Sequence, residues 1–165
     1  MKKMVTGFLV LGMLAGGAFA QTDEKGGKPG LSLNLGVQTN IFKGSSFDSA
    51  WFTLDARAAF PIGASLEISP EVMATVDDSF DFKAVWLYPG AMLNYRLGNF
   101  FIGAGAVLPI VFLAGDSNTG HISPKANVGY RLGHLLLTAY FVAWTEEGID
   151  FLDLNFAGAT VGYRF

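Results

Sequence analysis

Apolar and polar residues alternate one for one in "LSLNLGVQTNIF", residues 31–42. Leu31, Leu33, Leu35, Val37, Thr39 and Ile41 share one parity, and Ser32, Asn34, Gly36, Gln38 and Asn40 share the other. A period of two puts successive side chains on opposite faces, so this stretch reads as a strand with one apolar and one polar side. The pattern recurs in seven further segments bounded by turn residues: 50–60, 62–76, 82–97, 100–113, 121–132, 135–144 and 155–165. On the second, Phe52, Leu54, Ala56, Ala58 and Phe60 oppose Trp51, Thr53, Asp55 and Arg57. The fifth and seventh are apolar on both faces in part, and their parity stays open. No segment has a helical period.

The connections alternate too. "FPIG", "RLGN" and "RLGH" are tight, whereas "KGSSFD", "VDDSFD", "AGDSNTG" and "TEEGIDFLDL" are longer and polar. Strands joined alternately by short turns and longer loops predict an all-β fold, an eight-stranded antiparallel up-and-down barrel.

The start of the chain is set apart from it. Met1-Lys2-Lys3 is a positive n-region, residues 4–17 are apolar and glycine-loosened, and Ala18-Phe19-Ala20 has the pattern of a cleavage site. Residues 1–20 therefore read as a signal peptide, since the run falls short of the ~20 apolar residues a spanning helix needs. A short tail follows over 21–29, and the barrel domain covers 30–165. With no Cys in the chain, disulfides, Cys-based metal sites and a lipidated cysteine are excluded. Cleavage would remove Lys2 and Lys3, leaving nine of the eleven bases against fourteen acids, a net charge of −5. An acidic, exported chain lacks the basic footprint of a nucleic-acid binder.

Soluble and membrane barrels have opposite polarity, and the charges choose between them. Within the strands, Asp55, Arg57, Glu67, Glu71, Arg96, Lys125, Arg131 and Arg164 lie opposite the clean apolar set. Gly36, Gly63, Gly103, Gly105, Gly129, Gly158 and Gly162 share that polar face and suit a crowded, narrow interior. Water outside would expose an apolar face on every strand, beyond what a soluble monomer tolerates. Turning a base such as Lys125 to lipid would cost ~2–4 kcal/mol at mid-depth. Lipid outside and charge inside satisfies both constraints.

Three segments end on one phrase: "LNYRL" at 93–97, "VGYRL" at 128–132 and "VGYRF" at 161–165. With both termini in the periplasm and the acidic loops outside, the even-numbered strands all end at the inner interface. Phe60, Tyr95, Tyr130, Tyr163 and Phe165 then form an aromatic girdle there, while Arg96, Arg131 and Arg164 point into the lumen. Val161, Tyr163 and Phe165 also resemble the C-terminal insertion signal of bacterial outer-membrane barrels. The whole chain from 30 onward resembles the small eight-stranded outer-membrane barrel family, the OmpX and OmpA transmembrane type, without a following periplasmic domain. The resemblance implies a non-enzymatic monomer with a structural or surface-exposed role. Its implied partners are outer-membrane lipid and the barrel-assembly machinery, and it implies no cofactor.

Three constellations are candidates for chemistry. The eight lumen charges form either a salt-bridged structural plug or a gated ion path. In the outer half of the lumen, Phe42, Trp51, Met73, Phe82, Trp86, Val107, Val111 and Leu113 converge, with Tyr140 and Trp144, if parity holds. They would make an apolar cup for a small hydrophobic molecule, as in OmpW-like channels. Alternatively, Pro89 and Pro109 mark bulges that flip the register and turn several of them outward. Third, His121 and Ser123 share a face as a base and nucleophile would. The pair is similar to the His-x-Ser of lipid A deacylases, but Pro124 stands where that family has Asn. The two histidines, His121 and His134, lie too far apart along one strand for a metal site.

Overall fold

The computed structural model describes residues 29–41, 50–76, 84–113, 116–144 and 155–165. The expected signal peptide, Phe42, Phe82 and the loop acids other than Asp116 lie outside the described residues. The strands are β1 Gly30–Ile41, β2 Ala50–Ile62, β3 Leu66–Val76, β4 Ala84–Leu97 and β5 Phe100–Val107, then β6 Ile110–Leu113, β7 Asp116–Thr119, β8 Ser123–Leu132, β9 Leu135–Ala143 and β10 Asn155–Arg164. Every pairing is antiparallel. β1 joins both β2 and β10, and β3 joins β4, so the sheet closes on itself into an eight-stranded barrel. Closure leaves no edge among the barrel strands, which is what a structure surrounded by hydrocarbon requires.

The segment over 100–113 does not run as one strand. It divides at Leu108–Pro109 into β5 and β6, because Pro109 has no N–H to give to the ladder. The register nevertheless holds across the break. Gly90 faces Val107, and Leu87, three residues back, faces Ile110, three residues on. Leu108 N–H still donates to Pro89 O at 2.8 Å. The flip at Pro89 and Pro109 raised by the sequence is absent. Part of the segment read as a polar loop is strand: β7 pairs with β6 and carries the hairpin beyond β8. The one-residue offset falls instead at Gly120–Ile122, because Val107 faces Ser123 while Ile110 faces Thr119.

The first tight turn also sits later than the "FPIG" reading put it. β2 runs on through Ile62, and the turn is 63–65. Gly63, Gly98 and Gly133 open the three short turns at φ 72°, 64° and 60°, a left-handed conformation that favours glycine. Gly63 is thus a turn residue and not part of the lumen wall.

Parity is clear on β9, one of the two segments where it had been open. On β9, Leu136, Thr138, Tyr140 and Val142 are buried, and Leu135, Leu137, Ala139 and Phe141 are not. Around the outside, apolar residues are exposed on strand after strand: Leu35 by 67 %, Ile102 by 57 % and Val161 by 53 %. At the short-turn end the belt finishes in rings. Phe100 meets Tyr130 at 4.6 Å, and Tyr163 meets Phe165 at 5.1 Å and His134 at 5.3 Å. Strands of ten or more residues on β1 to β4, β8 and β10 suffice to cross a bilayer's hydrocarbon at the usual tilt.

Candidate functional site

The lumen is layered, and β3 reads out the order from the short-turn end: Glu67, Ser69, Glu71, Met73, Thr75. All five are buried. In the first layer Arg131 Nη2 donates to both carboxylate oxygens of Glu67, at 2.8 and 2.9 Å. Ser69 Oγ donates to Glu67 Oε1 at 3.2 Å and accepts from Asn94 Nδ2 at 3.0 Å. The Arg131 guanidinium also lies 5.3 Å from the centre of the Phe101 ring.

One layer further, Glu71 binds two cations. Arg57 Nη2 stands 3.2 Å from Oε2, and Lys125 Nζ is paired with Oε1. The same Arg57 Nη2 reaches Asp55 Oδ2 at 3.0 Å, and Asn34 Nδ2 donates to that oxygen at 3.0 Å. Two acids and two bases give a neutral quartet. Each ion loses several kcal/mol of hydration when buried, which only such close, mutually shared contacts offset. Lys125 further lies 4.8 Å from the Tyr140 ring centre, and Tyr140 Oη donates to Gln38 Oε1 at 3.1 Å.

Above the quartet the lining turns apolar. Met73, Tyr88, Val107, Tyr140, Val142, Trp144 and Phe156 form one buried cluster, with Trp86 packed against it. Trp86 is its hub. Its ring stacks on Tyr88, stands edge-on to Trp51 and Trp144 at 5.7 and 5.4 Å, and tilts against Phe156 at 6.3 Å. Edge-to-face and offset arrangements at these distances are favourable beyond the area they bury.

Several lumen residues are glycine because these side chains occupy the space. A Cβ on Gly158 would run into the Tyr140 ring, one on Gly129 into Phe101, and one on Gly103 into Asn94 and Asn127.

Of the residues the sequence singled out, the structure joins Asp55, Arg57, Glu71 and Lys125, and separately Glu67 and Arg131. Arg96 instead donates to Ala64 O at 2.9 Å, and Arg164 lies against Gly30. Trp51, Met73, Trp86, Val107, Tyr140 and Trp144 meet in the ring layer. Val111 is only half-buried, and Leu113 is 52 % exposed where β6 passes beyond the rim. The residues missed were Tyr88, Val142 and Phe156. Counting parity back from Asn94 through Met92 would have found Tyr88, had Pro89 not cast doubt on that strand. His121 and Ser123 do not face each other as base and nucleophile. Ser123 is buried and its Oγ donates to the His121 main-chain oxygen at 3.1 Å, while His121 is exposed. Among the described residues no acidic or histidine cluster suits a metal ion.

No protein-family model matches the chain, nor does any curated protein sequence. Solved structures do match. The crystal structure of Neisserial surface protein A (NspA) is 13 % identical, with 86 % of this chain and 98 % of that one covered at a TM-score of 0.58. Ail, the attachment invasion locus protein of Yersinia pestis, crystallised with the heparin analogue sucrose octasulfate, is 12 % identical over 86 % of this chain and 100 % of that one, at 0.52. A de novo designed transmembrane β-barrel is 15 % identical over 87 % and 100 %, at 0.51. The chain has the fold of the small eight-stranded outer-membrane barrels.

Proposed function

We propose that this protein is an integral outer-membrane barrel with a structural or surface-exposed role, its lumen plugged by charge below and aromatic rings above. The observation that carries the reading is Glu71, fully enclosed and held by both Arg57 and Lys125. An ion crossing the barrel would have to part this quartet and leave buried charges unpaired. The apolar belt on the outside supports insertion in lipid. The girdle at the short-turn end supports an orientation with termini in the periplasm and loops outside, assembled as a monomer by the barrel-assembly machinery. A hydrophobic channel would require the rings around Trp86 to separate, and a hydrolase would require a different Ser123 environment. Neither is favoured, and the protein is read as non-enzymatic. Reconstitution in planar bilayers tests the plug. No conductance steps are expected from the wild type, and steady ion currents from a fully folded sample would overturn it.

A further inference from the structure

Three strands carry an arginine beside their short-turn end, and each is anchored to the neighbouring hairpin in the same way. Arg96 N–H donates to Ser65 O at 2.7 Å, Arg131 N–H to Asn99 O at 2.9 Å, and Arg164 N–H to His134 O at 2.8 Å. The acceptors belong to the β2–β3, β4–β5 and β8–β9 turns, so the three side chains leave the wall at equivalent heights around one mouth. All three have lumen parity: Arg96 faces Phe101, Arg131 faces Leu136, and Arg164 faces Ser32, each a buried residue.

Among the described side chains, charge does not balance at this mouth. Among the described lumen residues, Asp55 and Glu71 offset Arg57 and Lys125, and Glu67 offsets Arg131. Arg96 and Arg164 remain, a surplus of two positive charges at one end. Among the described residues the Arg96 side chain donates to the neutral Ala64 carbonyl and meets no carboxylate. Arg164 lies within electrostatic reach of Arg131, Arg96 and Glu67. The Nε atoms of Arg96 and Arg131 are buried with no hydrogen-bond partner among the described residues. Like charges gathered with unused donors are costly, and an anion received among them would relieve both faults.

We infer that this mouth binds a phosphate dianion or phosphomonoester, held by Arg96, Arg131 and Arg164. A dianion matches the surplus, whereas a single carboxylate would leave half of it. Phosphate oxygens also fit the planar donor fork of guanidinium, which a lysine would meet only as a point charge. The phosphate belongs either to a soluble compound or to a lipid headgroup, since the aromatic girdle puts headgroups level with the mouth.

The test is a titration of inorganic phosphate into the folded full-length barrel in octyl glucoside micelles, followed by 31P line broadening. Saturable binding is expected, weakened ~10-fold or more in the Arg96→Gln/Arg164→Gln double variant, the scale of a lost charge-assisted hydrogen bond. Heat-modifiable gel mobility checks that each variant is folded. If the Gln pair does not fold, Arg96→Lys/Arg164→Lys keeps the charge and should weaken binding by a smaller factor. Displacement of phosphate by added phosphatidic acid, whose headgroup is a phosphomonoester, assigns the site to lipid headgroups, and its persistence assigns a soluble source. Unsaturable broadening, or saturable binding unchanged in a folded variant, would overturn the site.

Discussion

Trp86 stacks on Tyr88 with 6.4 Å between ring centres and 14° between planes, two positions along the same face of β4. Two steps along a strand return a side chain to the same face, so the stack shows directly that β4 keeps its parity up to Pro89. Leu87, between them, faces outward. With Trp51 and Trp144 replaced by Phe, lipid-borne nitroxides at matching depth should quench Trp86 weakly, and a single Trp installed at Leu87 strongly. The reverse order would place the ring layer outside the lumen.

Glu71→Ala should destabilise the barrel by ~3–5 kcal/mol, because both Arg57 and Lys125 would be left buried and short of a counter-charge. Glu67→Ala should cost less than half of that. Its partner Arg131 keeps 16 % of its side chain exposed and can recover some hydration. Urea unfolding in micelles, read from tryptophan fluorescence, measures both. Equal losses would mean that the quartet is hydrated after all.

The glycines separate by mechanism. Gly158→Ala puts a methyl into the Tyr140 ring, and overpacking of this kind costs ~1–3 kcal/mol. Gly98→Ala meets open space and bears only the left-handed backbone penalty of ~1–2 kcal/mol. The informative control is the double variant Gly158→Ala/Tyr140→Leu, in which the smaller side chain should restore part of the first loss. Gly98→Ala should gain nothing from the same partner change.

Deleting Phe165, or replacing it with Asp, should reduce the amount of protein inserted in the outer membrane. Phe165 closes the girdle by packing on Tyr163 at 5.1 Å, and its N–H donates to Leu31 O at 2.9 Å, tying the last residue to the first strand. Immunoblotting of membrane fractions measures the effect, and wild-type abundance would remove this role for the terminal aromatic.

Alternation alone determined that this chain makes strands, which face of each is apolar, and that the charges point inward. A period of two is a local property, written within each segment and independent of its neighbours. The Tyr-Arg phrase was legible for the same reason, because adjacent residues on a strand must divide between girdle and lumen. Pairing was not legible. Whether Pro89 and Pro109 break the register depends on what stands across the ladder, and only the antiparallel match of Gly90 with Val107 and Leu87 with Ile110 decides it. Distance around the barrel was equally hidden. Glu71 and Lys125 are 54 residues apart and Gln38 and Tyr140 are 102 apart, and closure of the sheet is what makes them neighbours. The sequence therefore supplied the inventory of the lumen, and the closed sheet chose the partners, since a carboxylate binds whichever cation the geometry brings within reach.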